Sequence, residues 1–478
     1  MRRAHARAAL AAVVTTSVCT GVAAAQQTPA PTTTRTSSTP ASTTPATTTT
    51  APTSTTTAPT APTAPAGPPR LANLKLPSLV TATQGHARFL VGVRTRTAAK
   101  ITVQITAVKG NLLVKTVQST KLEAAGRVYF LVDATNQQRY QLPAGAYQVR
   151  VQAADAQNRI SPPLTKTFRL KLTAPRGRLD ADVLQLWPSL ARSLGIPSQD
   201  GQLVGAVAPG GQAAKAGIRR GDVITAINQI PTLSGGGLAT ALRALPADTA
   251  VPVTLRRGSS EVTVQLKAKP DWNPVPDFTR VYTVVANREP KSMAYAVARA
   301  MYLAASGKGA DAQKLRDAWP LAWRLGAAGQ AVQAQILEKS GQAKPALGAW
   351  NRAAEADPHM AAAQFGRGLA YNALGKDARA AAAFAKAFEL DQKDSSAAAF
   401  QAFSLIRAGK TAEARQPALA AEAVDPSDAN AKVAAGIALI ETHNPAAGVV
   451  KLREGLLLTD DAARAQSIID QYLEPADK

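Results

Sequence analysis

The sequence predicts a multidomain chain: a disordered N-terminal stalk, an all-β sandwich, a small α+β domain and an α-helical solenoid. Apolar and polar residues alternate over residues 70–175, which is typical of half-buried strands. Short apolar runs separated by glycine turns follow over residues 176–270. Turn residues then recur every 34 residues in the part that begins at residue 327, which indicates a helical repeat. A chain of 478 residues is long enough for about three such domains.

The first 25 residues are predicted to form a secretory signal peptide. Arg2, Arg3 and Arg7 precede an Ala/Val-rich run, and the segment ends in Ala-Ala-Ala, which fits an A-x-A cleavage site near Ala25. We therefore expect an exported protein, either secreted or held at the cell surface or in the periplasm. Whether the segment is cleaved or retained as an anchor stays open. No later stretch has the roughly 20 apolar residues of a membrane helix, so none is expected in the mature chain.

The only cysteine, Cys19, lies inside the predicted signal peptide. A cleaved chain would therefore have no disulfide, no thiol nucleophile and no cysteine metal site.

Residues 26–69 are predicted to be a disordered stalk. They contain 18 Thr and 10 Pro among 44 residues and no Leu, Ile, Val, Met, Phe, Tyr or Trp, so they cannot bury a core. At ~3.1 Å per residue the segment could span up to roughly 130 Å. It could hold the folded domains away from a membrane or act only as a spacer, and its threonines could carry glycans.

Residues 70–175 are predicted to fold as a β-sandwich. Several runs place apolar residues at every second position, as at Phe89, Val91 and Val93, and short turns separate the runs. The stretch Leu142–Ser161, LPAGAYQVRVQAADAQNRIS, resembles a strand of the Ig-like module in flagellar hook-capping and bacterial surface proteins. This resemblance implies a fold more than an activity.

The predicted sandwich carries most of the positive charge. It has 16 Lys and Arg residues against 3 Asp and Glu residues, in a chain whose net charge is +23. One interpretation is a binding patch for an anionic cell-wall polymer or lipid headgroups, and the other is a solvated surface on a basic protein. Export and the lack of an RNA- or DNA-binding motif argue against a nucleic acid partner.

The α+β domain is predicted from Pro209–Asn228, PGGQAAKAGIRRGDVITAIN. An apolar strand at Leu203–Val207 precedes it, Gln212–Ala216 forms one helical turn that ends at Gly217, and a second strand follows at Val223–Ile227. This arrangement resembles the core of a PDZ domain of the kind found in HtrA/DegP-like proteases. PDZ domains bind peptides and carry out no chemistry themselves.

Two flanking segments fit the same resemblance. LWPSLARSLGI at Leu186–Ile196 is similar to the stretch that precedes the first of these strands in many HtrA-type PDZ domains. Downstream, the glycines at 235–237 are interpreted as a flexible loop into an amphipathic helix at Leu238–Leu245, and paired strands at Val251–Leu255 and Val262–Leu266 close the domain.

The PDZ resemblance implies a groove between the first strand and the later helix. A peptide adds there as a strand, and backbone N–H groups of a glycine-containing loop hold its C-terminal carboxylate. The matching loop is Arg178–Ala181, with Asp180 at the glycine position. That carboxylate would repel a ligand carboxylate unless Arg178 compensates or the ligand is an internal segment. The expected groove residues are Arg178, Leu179, Asp180, Ala181 and Val183 on the strand side, and Leu238 and Leu242 on the helix.

Residues 271–290 contain three prolines and are expected to be a linker. A degenerate helical repeat is expected over residues 291–326, with its second helix interrupted at Trp319 and Pro320.

Residues 327–478 are predicted to form tetratricopeptide (TPR) repeats with a C-terminal helix. Gly341, Gly375 and Gly409 lie 34 residues apart, which is the TPR period. The predicted repeats begin at Ala327, Ala361, Ser395 and Ala429, and the further helix covers Ala462–Leu473.

The TPR resemblance implies a concave surface lined by the first helix of each repeat. Repeat positions 5, 9 and 12 assign nine residues to it: Phe365, Leu369, Asn372, Ala399, Phe403, Ile406, Val433, Ile437 and Ile440. Because this set is mostly apolar, an apolar helix or segment of a partner protein is expected there. The alternative is that these side chains pack against a neighbouring repeat or against the C-terminal helix.

The sequence contains no motif that predicts catalysis or a cofactor. It has no H-E-x-x-H, no Cys/His cluster and no G-x-S-x-G, and no stretch is left for a protease domain. Gly409-Lys410-Thr411 resembles the end of a phosphate-binding loop, but it lies in a repeat turn and Ser404 replaces the first glycine. We therefore expect no enzyme activity, no metal and no cofactor.

Together these features predict a non-catalytic exported scaffold that binds proteins or peptides through PDZ and TPR surfaces at the cell envelope. Two alternatives remain. The chain could recognise substrates for a separate envelope protease, or it could bind a cell-wall polymer through its basic Ig-like domain. The oligomeric state stays open.

Overall fold

The computed structural model describes residues 67–478, except for residues 120–121, 197–200, 272–275, 289–291, 443, 460–464, 466–467, 470–471 and 474–478. The predicted signal peptide, nearly all of the predicted stalk and part of the predicted C-terminal helix lie outside the described residues.

The first domain is a β-sandwich. One sheet has the strand order β1-β3-β6 and the other the order β2-β8-β7-β4-β5, in which β2 and β8 are parallel. Inward side chains such as Phe89, Ile101 and Phe168 are almost fully buried between the sheets, which confirms the predicted sandwich. The strands are β1 (Leu71–Lys75), β2 (Leu79–Thr83), β3 (Arg88–Thr95), β4 (Lys100–Ala107), β5 (Leu112–Gln118), β6 (Gly126–Asp133), β7 (Gly145–Ala154) and β8 (Leu164–Thr173).

The second domain has the predicted α+β arrangement. Its main sheet has the order β10-β11-β12-β14-β15, β13 pairs with β12, and β9 pairs with β16. The elements are β9 (Gly177–Arg178), β10 (Ala181–Gln185), α1 (Pro188–Ser193), β11 (Gln202–Val207), α2 (Gln212–Lys215), β12 (Val223–Ile227), β13 (Ile230–Pro231), α3 (Gly235–Ala244), β14 (Ala250–Arg257), β15 (Ser260–Lys267) and β16 (Lys269–Pro270).

The glycine turn of this domain is held by an ion pair. Asp222, which follows Gly221, is buried and accepts hydrogen bonds from Arg257 through both carboxylate oxygens, each at 2.8 Å. Gly221 has φ 85°, a left-handed conformation that favours glycine. Gly221 and Asp222, in the Arg-Arg-Gly-Asp stretch at 219–222, therefore have a structural role: they hold the turn that leads into β12.

The expected linker contains a helix. Helix α4 (Phe278–Arg288) buries Phe278 and Tyr282 against the outer side of β10 and β11, so the segment is part of a core. Residues four apart lie on one helix face, which is why an aromatic pair at this spacing can pack against a sheet.

The C-terminal region is helical and has the predicted period. Helices α8, α10, α12 and α14 begin at the four predicted repeat starts. The glycines at the 34-residue spacing have φ between 68° and 79°, so each ends a helix in the left-handed conformation. The described helices after α4 are α5 (Met293–Ala305), α6 (Gly309–Asp317), α7 (Leu321–Leu325), α8 (Ala327–Lys339), α9 (Ala343–Ala356), α10 (Ala361–Ala373), α11 (Asp377–Leu390), α12 (Ser395–Arg407), α13 (Thr411–Val424), α14 (Ala429–Glu441) and α15 (Pro445–Leu458).

The β-sandwich contacts both other regions. Tyr129 on the three-stranded sheet is buried against α15, where Arg453 Nη2 donates to its hydroxyl at 2.9 Å and the guanidinium lies 5.4 Å from the ring centre. His86 Nε2 lies 2.9 Å from Asp271 Oδ2, just after β16. One sheet of the sandwich is therefore turned toward the helices.

Within the part of the chain that the structure describes, no helix is both long and apolar enough to span a lipid bilayer.

Candidate peptide-binding groove

Strand β10 forms the edge of its sheet. Among the described residues it pairs only with β11. Asp180 C=O accepts the N–H of Ala208, and the N–H of Leu186 donates to Gly201 C=O, so even-numbered residues direct their backbone groups toward β11. Because these groups alternate along a strand, those of the odd-numbered residues between them, such as Val183, point to the open side. This edge has the geometry to accept a further strand.

The apolar residues predicted for the groove come together in one cluster. Leu179, Ala181 and Leu238 are buried in the core of the domain, and Val183 and Leu242 are half-buried against the same core. The structure thus brings the strand residues and the α3 residues together as the PDZ resemblance implied. Val183 and Leu242 are the two that retain apolar surface for a ligand side chain.

Asp180 lies in the loop before β10 with φ 34°, a left-handed conformation that glycine adopts at lower cost. The side chain is buried. Its Oδ1 accepts from Arg178 Nε at 2.7 Å, and its Oδ2 accepts from the backbone N–H of Gln212 at 3.1 Å, at the start of α2. Both carboxylate oxygens have donors, and Arg178 balances the charge that was expected to repel a ligand carboxylate.

Asp182, on the opposite side of β10, faces helix α4. It is 5% exposed and accepts a hydrogen bond from the Tyr282 hydroxyl. Burial raises the pKa of Asp182 to about 7, and the hydrogen bond from Tyr282 opposes this shift. Burial, together with the charge of Asp182, raises the pKa of Tyr282 well above its ordinary value. Sequence reasoning missed this contact because 100 residues separate the partners.

Three buried aspartates recur at the repeat period, and we call Asp357, Asp391 and Asp425 the turn aspartates. Each follows the second helix of a repeat. The Oδ1 atom of each turn aspartate accepts a hydrogen bond from the backbone N–H of the residue two positions later, at 2.9–3.1 Å. This bond stabilises the turn in which the aspartate lies. In each, Oδ2 accepts from the PDZ-like domain instead.

Two of the turn aspartates meet helix N-termini. Asp357 Oδ2 accepts the backbone N–H of Ser189 in α1 at 2.9 Å, and Asp391 Oδ2 accepts that of Gly236 in α3 at 3.2 Å. Amides in a first helical turn have no partner within their helix, so an external carboxylate both satisfies them and suits the helix dipole.

The third turn aspartate meets side chains further along α3. Asp425 Oδ2 accepts from Thr240 Oγ1 at 3.2 Å and from Arg243 Nε at 2.8 Å. Burial alone would raise the pKa of Asp425, but hydrogen bonds from Ser427 and the charge of Arg243 hold it below its ordinary value. Two of the three repeat turns therefore contact α3, the helix that forms one wall of the groove.

The glycines at 235–237, expected to form a flexible loop, are the first turn of α3, and Ser234 caps the helix by accepting from Gly237 N–H at 3.2 Å. This expectation was wrong. A Cβ on Gly236 would lie 2.1 Å from the carbonyl oxygen of Lys393 in a repeat turn. Glycine is required there because the backbone of the repeat approaches closely. A run of three glycines at the start of a helix is the signal in the sequence that indicates such an approach.

The nine residues predicted for the concave TPR surface lie largely inside the helical core. Seven are buried, at 7% exposure or less: Phe365, Leu369, Asn372, Ala399, Phe403, Val433 and Ile437. Ile406 and Ile440 are half-buried against the same cluster. Asn372 Oδ1 accepts from Ser404 Oγ at 3.1 Å. The described residues of the predicted C-terminal helix, including Ile468 and Ile469, belong to this core as well. The arrangement agrees with the alternative of packing between repeats.

Family models match two parts of the chain. The model described as PDZ domain matches residues 203–257, and the model described as FlgD Ig-like domain matches residues 78–157. Curated relatives include the periplasmic serine endoprotease DegP of Salmonella typhimurium, with 30% identity over 114 residues, covering 24% of this chain and 24% of that protein. A probable DegP-like endoprotease of Rhizobium meliloti is 36% identical over 95 residues, covering 20% of this chain and 19% of that protein. The chain thus spans about a quarter or less of the length of these relatives.

Similar solved structures are TPR proteins. YrrB, described as a TPR protein with an unusual peptide-binding site, is 17% identical and covers 39% of this chain and 96% of its own, with a TM-score of 0.32. MamA is 15% identical and covers 33% of this chain and 92% of its own, with a TM-score of 0.30. The chain contains a PDZ domain and a FlgD-type Ig-like domain, followed by a helical region that resembles TPR proteins.

Proposed function

We propose that this protein is a non-catalytic, exported scaffold that captures an extended protein segment in the groove between β10 and α3. The observation that carries the proposal is the open edge of β10 beside the half-buried pair Val183 and Leu242. Main-chain hydrogen bonds to the edge would supply affinity, and the apolar pair would select a side chain.

The repeats have a supporting role in this proposal. Asp391 and Asp425 attach them to α3, Asp357 attaches them to α1, and α4 packs on the other side of the sheet. A groove whose two walls are fixed before binding loses less conformational entropy when the ligand arrives. The array then positions the PDZ domain relative to the rest of the chain.

Export fits the domain content. Periplasmic DegP proteins match the PDZ part of the chain, and the Ig-like domain is of the flagellar FlgD type. Both are compatible with a place outside the cytoplasm.

The test is a peptide array screened with the full chain, followed by fluorescence polarisation. Each peptide is presented with a free and with an amidated C-terminus, which separates a C-terminal ligand from an internal segment. Leu242→Lys should weaken the best peptide at least about tenfold, because a charged side chain replaces apolar surface in the groove. Leu419→Lys, on α13 and 40% exposed, is the matched control.

Equal affinity of the two lysine variants would exclude this groove as the site. The non-catalytic part of the proposal is checked separately with an unfolded protein substrate. Turnover that stays with the pure chain through several purification steps would contradict it.

The similarity to DegP supports a second candidate, recognition of substrates for a separate envelope protease. Adding the full chain to such a protease should then raise its cleavage rate for groove-binding peptides only. Leu242→Lys should abolish the increase.

A further inference from the structure

The five-stranded sheet of the Ig-like domain has an outer face with an unusual composition. The registers of β2, β4, β5, β7 and β8 place alternate residues of each strand on this outer face. The side chains of Gln118 on β5 and Thr102 on β4 lie on the same side of the sheet, because Gln118 Nε2 donates to Thr102 Oγ1 at 3.1 Å. Apart from four cations, most of these residues are Thr or Gln. Leu79 and Leu113, each 51% exposed, lie on the two edge strands. None of these side chains belongs to a hydrophobic cluster of the described residues.

The four cations are Lys100, Arg150, Arg169 and Lys171, and all four are exposed. Among the described residues, no ion pair within 4.0 Å involves any of them. Strand geometry sets Arg169 and Lys171 about 7 Å apart on β8, with Arg150 about 14 Å from Arg169 on β7. Their charges therefore act together over a surface that is about 19 Å wide across the five strands.

The acidic residues of the domain lie elsewhere. Asp133 pairs with Arg88 at 2.6 Å on the other sheet, and Asp155 pairs with Arg159 at 2.7 Å in the turn after β7. Glu123 lies in the connection between β5 and β6, where its backbone pairs with Ala99. Asp133 and Asp155 thus form their ion pairs with other residues and not with the four cations of this face.

The same face lacks aromatic side chains. Phe89, Phe130, Tyr147 and Phe168 point into the sandwich, and Tyr129 contacts α15 from the other sheet. Tyr140, which is 72% exposed, lies in the loop between β6 and β7 and not on a strand of this face. Single-stranded nucleic acid is held largely by stacking on aromatic rings, which this face cannot offer. Its exposed leucines, Leu79 and Leu113, lie only on the two edge strands, so the centre of the face offers no apolar surface to a lipid membrane. What it offers is hydroxyl and amide groups between separated cations, on a rigid sheet.

We propose that this face binds an acidic polysaccharide, a polymer that carries carboxylate or phosphate groups among many hydroxyls. Arg150, Arg169 and Lys171 pair with the acidic groups. Gln148, on β7 between Arg150 and Arg169, and Gln104, opposite Arg150 on β4, exchange hydrogen bonds with the hydroxyls. The site is separate from the peptide groove, and the opposite sheet of the sandwich is already occupied by α15. One polymer could therefore hold the protein while the groove binds a peptide.

The test measures binding of the full chain to immobilised polygalacturonate and to a phosphodiester-linked mannan, at low and high salt. Neutral dextran, anionic phospholipid vesicles and single-stranded DNA are the comparison probes. The variant Arg150→Gln/Arg169→Gln/Lys171→Gln removes three charges from the face. Lys75→Gln/Arg96→Gln/Arg139→Gln removes three exposed charges from elsewhere in the domain and is the matched control.

The face variant should weaken binding to at least one acidic polysaccharide by about tenfold or more, and the control by less than about twofold. Gln104→Leu/Gln148→Leu keeps every charge and should still weaken binding about threefold. The circular dichroism spectrum and the urea midpoint should stay unchanged in all variants, which shows that they are folded, and peptide binding in the groove should also stay unchanged.

Three results would overturn the proposal: no acidic polysaccharide binds, the control variant loses as much affinity as the face variant, or DNA and vesicles bind as tightly and the glutamine variant has no effect. The last outcome would assign the face to non-specific charge attraction.

Discussion

The two surfaces predicted to bind partners differ in how the fold uses them. In the PDZ groove, strand β10 ends a sheet, and Val183 and Leu242 remain half-exposed beside its free edge. In the repeats, most of the residues assigned to the concave surface are buried, with Phe403 only 1% exposed. The groove is open because the sheet stops there. The repeat surface is closed because each repeat continues into the next.

The difference shows that a repeat position does not determine a binding role by itself. The repeats are rich in alanine, so their helices approach closely and the few large side chains fill the space between them. The contacts of the array with another domain occur instead at its turns, through the turn aspartates. In the described structure the turns, and not the concave positions, make these contacts with the PDZ domain.

The strongest test of the comparison is Phe403→Ala. Because the ring is buried and lies 6.0 Å from that of Phe400, its loss should lower the free energy of unfolding by about 3–5 kcal/mol. Urea denaturation followed by circular dichroism measures this. The half-buried Ile406→Ala is the control and should cost less. A stable Phe403→Ala variant that has lost a protein partner would show that the surface binds after all.

The next largest effect is expected for Gly236→Ala. The new methyl group would meet the carbonyl of Lys393 at 2.1 Å, so α3 or the repeat turn must move, at a cost of about 2–3 kcal/mol. Urea denaturation should then show a lower midpoint, because the contact between α3 and the repeat turn at Lys393 is weakened.

Gly235→Ala is a closely matched control for that variant. It changes the neighbouring glycine of the same helix, and its Cβ would meet only the end of the Gln185 side chain, which can move. If both alanine variants unfold at the same urea concentration, the close approach at Gly236 does not hold the domains together.

A smaller effect is expected from the charged contact at the other end of α3. A double-mutant cycle with Asp425→Asn and Arg243→Gln should give a coupling energy of about 1–2 kcal/mol. The value is intermediate because the side chain of Asp425 is 3% exposed, whereas that of Arg243 is 25% exposed and partly screened by water. Thermal unfolding of the four proteins measures it. A coupling energy near zero would mean that the pair contributes nothing to the attachment.

Much of the fold could be predicted because its signals are local. Alternation predicted the sandwich strands, and the 34-residue spacing predicted the helix starts at Ala361 and Ser395. The replacement of the loop glycine by Asp180 could also be seen in the sequence. So could the balancing of its charge by Arg178, since the two residues are only two positions apart.

The contacts between domains could not be predicted in this way. The recurrence of Asp357, Asp391 and Asp425 was visible, but their partners lie 155 to 185 residues away. A pattern within one repeat fixes the turn that each aspartate holds with Oδ1. It carries no information on what its Oδ2 meets, because that depends on how two separately folded surfaces fit together.

The smallest expected effect concerns the other side of the groove strand, where Asp182 meets Tyr282. Since burial raises the pKa of Asp182 to about 7, the folded protein binds this proton more tightly than the unfolded chain does. The resulting stability is fully present below pH ~4 and is lost as the pH rises through ~7. We therefore expect the titration of Asp182 alone to lower the free energy of unfolding by about 1 kcal/mol between pH 6 and pH 8.

The variant Asp182→Asn tests this, because its amide oxygen can still accept the Tyr282 hydrogen bond but does not titrate. Urea denaturation at several pH values should show a shallower pH dependence and a more stable protein at pH 8. The pKa of Asp394 is also raised to about 7, by burial and by the charge of Asp391. Because Asp394 still titrates in the variant, the change of the free energy of unfolding with pH should become smaller but not disappear. An unchanged slope would place the titrating group elsewhere. The support of the groove by α4 would then not depend on the protonation of Asp182.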